Sequence, residues 1–474
     1  MGDSVTVKRL SVGLAIAMVL LLAACKRSSL AEGALCFPEA ARPWLAGVEA
    51  PARRTAPDGP LHLLIDGSGS MVGYLGRGSE RPLADLLGML PTLDGAASED
   101  LRLTRFDRVI TQLAPDDLSR FQLPDTYRCL PGRGPCTNQE SHIDKALELA
   151  AADGTDTVSV IVSDLWLSND ELRTTSAVAL SRHLEAILRS GRAIAVYGFE
   201  SPYAGRVYDM PSGRADVTAT RRHIFLVAAG PRSRLEAMHR AMLRAPAEYL
   251  ASALADGSAG YAIFSQDPVV TAMPATAPFA PRATGSLVSQ TFLQAQQGIR
   301  IPQYQLDRRA AMRATEPEPG IPWSGIQAEA VVPGAVWRGP MQGETRLFRQ
   351  ARDMCRDGET DWRPEGRLEG GWTPAGGFSL DPAGLATLSN GVYLLVGEVK
   401  RVGLDSPNPA TDWMRAWSFS DSEEAEAIER AGRGEAMPTL NLAATARLLE
   451  NALQKVAEER PQLVGGFVAA VKVG

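Results

Sequence analysis

Leu61-His62-Leu63-Leu64-Ile65-Asp66-Gly67-Ser68-Gly69-Ser70-Met71 runs from a short apolar stretch into a loop that alternates glycine with oxygen-bearing side chains. The apolar half reads as a buried strand of a parallel sheet, because such strands are covered on both faces and become near-continuous hydrophobic runs. In open α/β sheets, ligands bind in the crevice beyond the carboxyl ends of the strands. A hard cation such as Mg²⁺ takes oxygen ligands and keeps positions for water or a partner. Asp66, Ser68 and Ser70 offer one carboxylate and two hydroxyls. Gly67 and Gly69 are expected to let the backbone turn tightly enough to aim all three inward.

Strands and helices alternate on the C-terminal side of this stretch. Leu83, Leu86, Leu87 and Leu90 share a helical face, as do Ile143, Ala146, Leu147 and Ala150. Leu101 to Phe106 reads as a strand, with Val109 to Leu113 as its antiparallel partner. An irregular insert follows, from Ala114 to about Glu140. Thr157 to Ser163 is a β-branched run suited to a central parallel strand. Ala177, Leu180, Leu184, Ile187 and Leu188 mark a helix, and Gly191 is placed to cap it. Ala193 to Phe199 and His223 to Ala229 read as strands, and Leu235 to Leu243 as a helix. Such alternation predicts an α/β, doubly wound sheet with helices on both faces.

Asp66-x-Ser68-x-Ser70 after a hydrophobic strand resembles the metal-ion-dependent adhesion site of von Willebrand factor A domains. Ser141-His142-Ile143-Asp144-Lys145-Ala146-Leu147 resembles that family's second element, with Ser141 in place of the usual Thr. Asp164 follows a strand as the third-loop Asp does, with Leu165 where the family has Gly. The resemblance covers residues 60–247. It implies a Rossmann-like von Willebrand A domain in which Asp66, Ser68, Ser70, Ser141 and Asp164 surround Mg²⁺ or Mn²⁺. An acidic residue of a protein partner is expected to complete the shell. His142 and Trp166 lie next to the proposed ligands. Trp166 suits a partner hot spot and equally a core position.

The N-terminus carries Lys8 and Arg9 before an apolar run from Leu10 to Leu22, too short for a comfortable membrane span, which reads as a signal peptide over residues 1–24. Leu22-Ala23-Ala24-Cys25 resembles a bacterial lipobox, which implies lipidation of Cys25 and a membrane anchor. Lys26 then favours the outer membrane over inner-membrane retention, facing the periplasm. Residues 25–59 read as a tether. Cys36, Cys129, Cys136 and Cys355 remain after cleavage, an even count that suggests disulfides in an oxidising compartment. Cys129 with Cys136 and Cys36 with Cys355 is the preferred of three pairings. A zinc site is the other reading, and no His flanks these cysteines at ligand spacing.

The 474-residue chain is long enough for two or three domains, and its 45% hydrophobic and 22% charged residues are ordinary for a globular protein. A formal net charge of -6 and the lack of any basic tract argue against nucleic acid as a partner. From about Ala251 to residue 474 short alternating runs sit between Pro/Gly breaks: Tyr261 to Ser265, Ser286 to Leu293, Ile326 to Val332, Val392 to Val402. This rhythm predicts a β-rich, β-sandwich-like domain. Leu388-Ser389-Asn390-Gly391-Val392-Tyr393 resembles the tyrosine corner of immunoglobulin-like folds, and an ordinary hairpin turn with a core Tyr fits it equally. Leu442, Ala446, Leu449, Leu453 and Val456 predict a C-terminal helix with a narrow apolar seam, and Gly465 to Val473 a last strand.

The sequence thus points to a non-enzymatic, lipid-anchored envelope protein that binds a protein partner through a cation. Two other readings stand beside it: a metal-assisted hydrolase at the same site, and a structural lipoprotein without metal. The loop lacks the glycines two residues either side of the serine that a nucleophile elbow needs, and a phosphate-cradling Gly-rich loop ending in Lys-Ser/Thr is absent from the sequence. The five histidines, His62, His142, His183, His223 and His239, form no recognisable base–nucleophile pairing.

Overall fold

The computed structural model describes residues 37–44, 59–76, 80–93, 100–128, 140–168, 175–208, 210–214, 217–266, 287–294, 300–313, 334–336, 341–351, 362–368, 372–373, 377–378, 382–404 and 406–474. Cys25, Cys36, Cys129, Cys136 and Cys355 lie outside them, as do the signal peptide and the run Ile326 to Val332. Among the described residues, no helix is long and apolar enough to cross a membrane.

The chain forms a mixed α/β unit and a β-rich region. In the first, strand β1 (Leu61–Asp66) is followed by β2 (Leu101–Phe106), β3 (Ile110–Leu113), β4 (Val158–Ser163), β5 (Ala193–Arg206), β6 (Thr218–Gly230) and β7 (Gly260–Phe264). They make one sheet in the order β3-β2-β1-β4-β6-β5-β7. β1 is parallel to both β2 and β4, and every residue of β1 and β4 is buried. β3 turns back antiparallel onto β2.

Beyond β4 the sheet departs from doubly wound alternation. β6 enters between β4 and β5 and is antiparallel to both. The cause lies in the connection. Residues 207–217 join β5 to β6, and a parallel return needs a crossover of a dozen or more residues, usually a helix. Here Val207 N bonds Val217 O at 3.0 Å and the two strands form a long hairpin. Tyr261 to Ser265, read from sequence as the first β-rich run, instead contributes β7, antiparallel to β5 on the edge of this same sheet.

Helices cover both faces, as the apolar periodicity requires. One face carries α1 (Pro82–Leu93), through Leu83, Leu86, Leu87 and Leu90. The other carries α2 (Ile143–Ala152) and α3 (Thr175–Arg189), through Ile143, Ala146, Leu147, Leu180, Leu184 and Ile187. The first face also holds α4 (Arg232–Met242) and α5 (Glu248–Asp256).

Later residues come back to this unit. α6 (Glu424–Gly432) adds Ala427 and Ala431 to the first face, and α7 (Leu442–Glu459) packs Leu442, Ala446, Leu449, Leu453 and Val456 on the second, beside α3. The C-terminal helix expected in the β-rich half therefore completes the core of the α/β unit. Its apolar seam is matched to the sheet face left bare by α2 and α3. Trp413 seals the contact: a Cβ on Gly260 would lie 2.2 Å from its ring, so only glycine admits it there.

The β-rich region contains β8 (Leu287–Gln294), β9 (Arg300–Leu306), β10 (Met341–Gln350) and β11 (Trp362–Leu368). A small ribbon, β12 (Trp372–Thr373) with β13 (Gly377–Phe378), precedes β14 (Gly391–Arg401). Ser418–Phe419 (β15) and Thr439–Leu440 (β16) pair within the returning segment. β17 (Gln462–Val473) follows α7 and enters the second sheet, whose order is β11-β10-β14-β17-β9-β8. Where a sandwich would need two facing sheets, the described residues give one six-stranded sheet with a small core on each face. Tyr393 is buried in it, and its hydroxyl donates to Ser389 O at 2.9 Å, a bond of the tyrosine-corner kind. Within the stretch read as a tether, Glu39–Trp44 forms a 3-10 helix against β17, and Phe37 stacks on Trp362 at 6.2 Å.

Leu453→Ala tests the placement of α7. Removing this buried side chain should lower the stability of the α/β unit by about 2–5 kcal/mol, read by urea unfolding monitored by near-UV circular dichroism. A loss under about 1 kcal/mol would contradict the packing.

Candidate metal centre

β1 and β4 are neighbours in register, with Ile65 opposite Val162, so Asp66 and Ser163 end at the same edge of the sheet. Asp66 is fully buried. Its Oδ1 accepts the backbone N–H of Ser68 at 2.8 Å, which folds the loop back on the carboxylate. Its Oδ2 accepts from Ser141 Oγ and from Ser163 Oγ, both at 2.8 Å. Ser68 Oγ and Ser70 Oγ are 3.0 Å apart. The role of Gly67 differs from the expected turn. The side chain of Arg105 lies across it, and a Cβ would come 2.2 Å from Arg105 Nε.

Asp164 is also buried. Its Oδ1 lies 3.5 Å from Trp166 N, at the limit of a hydrogen bond. Its Oδ2 is 3.2 Å from Arg222 Nη2, an ion pair without the alignment of a hydrogen bond. Leu165 takes the left-handed backbone conformation, φ 47°, which explains why glycine suits this position and leaves a Leu strained there. Burial of its side chain and a bond from its N–H to Ser163 Oγ at 3.1 Å hold it in place.

The five expected ligands thus gather from three segments at one edge. The two expected contact residues do not present themselves alike. His142 precedes α2 and pairs with Glu140 Oε2 at 3.5 Å and Asp144 Oδ1 at 3.8 Å. Trp166 is half-buried, edge-on to Phe419 at 5.4 Å between ring centroids, with Arg222 4.6 Å above its ring.

Sequence reasoning missed Ser163 and Arg222. Arg222 had a signal. It shares strand parity with Ile224, Leu226 and Ala228, all in the core on the α1 face, so an arginine there is a buried charge in need of a partner. Tyr203 was missed too. Its hydroxyl donates to Ser70 O at 3.2 Å and Arg206 O at 3.0 Å, joining the β5–β6 hairpin to the first loop.

The donor set fits a hard divalent cation: two carboxylates and three serine hydroxyls, with no soft ligand. Among the described residues, no group of three or more His, Cys, Asp or Glu side chains is arranged to hold a metal ion. Burial, and then the neighbouring charge of Asp164, push the Asp66 carboxyl up to about 6, against the pull of its bonds to Ser68 and Ser163. No protein-family model and no curated protein sequence matches the chain.

The raised Asp66 value fixes a sign. A carboxyl easier to protonate when folded adds stability below its ordinary value of 3.8, and that stability is lost as pH rises through about 6. In chelator, wild type should therefore lose on the order of 2–3 kcal/mol relative to Asp66→Asn between pH 4 and pH 7. Urea unfolding of both proteins across that range measures it, and a pH-independent difference contradicts it.

Proposed function

We propose that this protein is an envelope-tethered binding module whose α/β unit, of von Willebrand A type, engages an acidic group on a protein partner through Mg²⁺ or Mn²⁺. The observation that carries the reading is the hydrogen bond from Ser141 to Asp66, 75 residues apart in sequence, which joins two of the three loops the adhesion-site pattern requires. Asp66, Ser68, Ser70, Ser141 and Asp164 would hold the ion. When bound, the ion supplies an electrophilic centre for an incoming carboxylate. The protein contributes the rest. Serine hydroxyls add ligands without adding negative charge, so the cation keeps positive character for the partner. The bonds from Ser68, Ser141 and Ser163 hold the Asp66 carboxylate oriented before an ion arrives, which lowers the cost of ordering on binding. The lipidated Cys25 would place the module at the outer membrane, facing the periplasm.

Calorimetric titration of Mg²⁺ and Mn²⁺ tests the reading. Wild type should take up one ion per chain, with affinity falling below about pH 6 as Asp66 protonates. Asp66→Ala should abolish uptake and leave the fold intact. Absence of uptake by wild type, even with a carboxylate-bearing peptide present, would sink the proposal.

A further inference from the structure

Arg222 is the cation already in the centre. Its guanidinium is 2% exposed and lies 3.2 Å from Asp164 Oδ2. Aromatic rings enclose it: Trp166 at 4.6 Å, Tyr203 at 4.9 Å and Tyr74 at 5.8 Å from ring centroid to Cζ. A planar guanidinium stacks on such faces and keeps its charge at any pH a protein meets. Two of the cage residues are themselves tethered. Tyr74 donates to His223 O at 2.7 Å, and Tyr203 donates to Ser70 O. The position of Arg222 is therefore fixed relative to Asp164 and to the first loop together.

We propose that Arg222 is a built-in counter-cation that competes with the divalent ion for Asp164, so that the centre fills and empties reversibly while the fold persists. This rests on the cation reading above. The charge count gives the reasoning. Asp66 and Asp164 carry two negative charges and Arg222 one positive, leaving one net negative charge in the pocket. A divalent ion then leaves one net positive charge, which an incoming carboxylate neutralises. Without Arg222 the pocket would hold the ion more tightly, and the filled site would be neutral. Arg222 thus weakens the site for cations and strengthens it for an anionic ligand. It also explains how two carboxylates coexist at one buried edge when no ion is bound. Arg222 is a positioning residue here, acting through Asp164.

The test is calorimetric titration of Mn²⁺ into the full chain, with urea unfolding in chelator and in Mn²⁺, for wild type, Arg222→Met, Arg222→Lys and the double variant Asp164→Asn/Arg222→Met. Arg222→Met should bind Mn²⁺ on the order of tenfold more tightly, since one like charge a few ångströms away has gone. It should unfold at lower urea in chelator and recover in Mn²⁺. Arg222→Lys should fall between it and wild type. The double variant should resist urea in chelator about as well as wild type, because no carboxylate is left unpaired. If Arg222→Met cannot fold in chelator, recovery in the double variant still decides for the pairing. Equal Mn²⁺ affinity in wild type and Arg222→Met overturns the counter-cation role and leaves the cation site standing. Equally poor urea resistance in the single and double variants also overturns that role. Uptake by Arg222→Met alone supports the role and overturns the cation reading for wild type. Uptake by neither overturns both.

Discussion

Two aspartates brought to one buried edge need positive charge or its equivalent in donated hydrogen bonds. β1 and β4 are adjacent and parallel, so Asp66 and Asp164 cannot avoid each other. Asp66 is answered by hydroxyls and an N–H: Ser68, Ser141 and Ser163. Asp164 is answered by Arg222. That second answer depends on topology. β6 runs antiparallel to β4, with Phe225 opposite Ser163, so residues before Phe225 project past the end of β4. A parallel strand in the same place would bring its last residue there, not an arginine near its start. The short β5–β6 connection, by forcing the hairpin, supplies the charge that the two carboxylates require.

The loop bearing Asp164 is held from behind by residues far along the chain. Phe419 packs on Trp166, and Asn441, itself at φ 59°, donates from Nδ2 to Leu167 O at 3.0 Å. Asn tolerates the left-handed region because its short side chain can bond locally. From Asn441 the chain enters α7 and then β17, which is hydrogen-bonded on both sides within the second sheet. The β-rich region and the candidate centre are therefore connected through one helix and one loop contact. The strained Leu165 persists between Asp164 and this contact because the packing around it over-determines its backbone.

Much of this arrangement was legible in the sequence, and the limits have physical causes. Apolar runs gave β1 and β4, and helical spacing gave α1, α2, α3 and α7, because those patterns are local. The meeting of Asp66, Ser141 and Asp164 at one edge was legible because each sits at the end of a strand or at a helix start. Strand order beyond β4 was not, since an antiparallel hairpin and a parallel crossover both begin as two apolar runs. Nor was the destination of α7, because its seam fits any apolar face and only tertiary contact chooses one. Arg222 could have been read. The alternation of β6 places it on the α1 face with Ile224, Leu226 and Ala228, where a charge needs a partner.

A second polar network in the same sheet shows why the edge bearing Asp66 is the one to suspect of function. At the opposite end of the parallel strands, His62 Nδ1 meets Asp153 Oδ2 at 2.8 Å and its Nε2 meets Thr104 Oγ1 at 2.9 Å, a spacing that mimics a hydroxyl–imidazole–carboxylate triad. Asp153 also accepts from Ser159 at 2.6 Å and from Arg102 at 2.7 Å, and Arg192 donates to Ser159 at 3.0 Å. Burial pushes the Asp153 carboxyl up, yet these donors and His62 bring it down to about 2. Thr104, its would-be nucleophile, is buried within a sheet strand. This network surrounds Asp153 with donors, leaves Arg192 Nε without a partner among the described residues, and ties β1, β2 and β4 together. The Asp66 edge is built from the same residue types and ends differently: its carboxyl is pushed up to about 6, and Asp164 Oδ2 lacks an aligned donor. The raised Asp66 carboxyl and the unaligned Asp164 Oδ2 are what the cation proposed above would compensate.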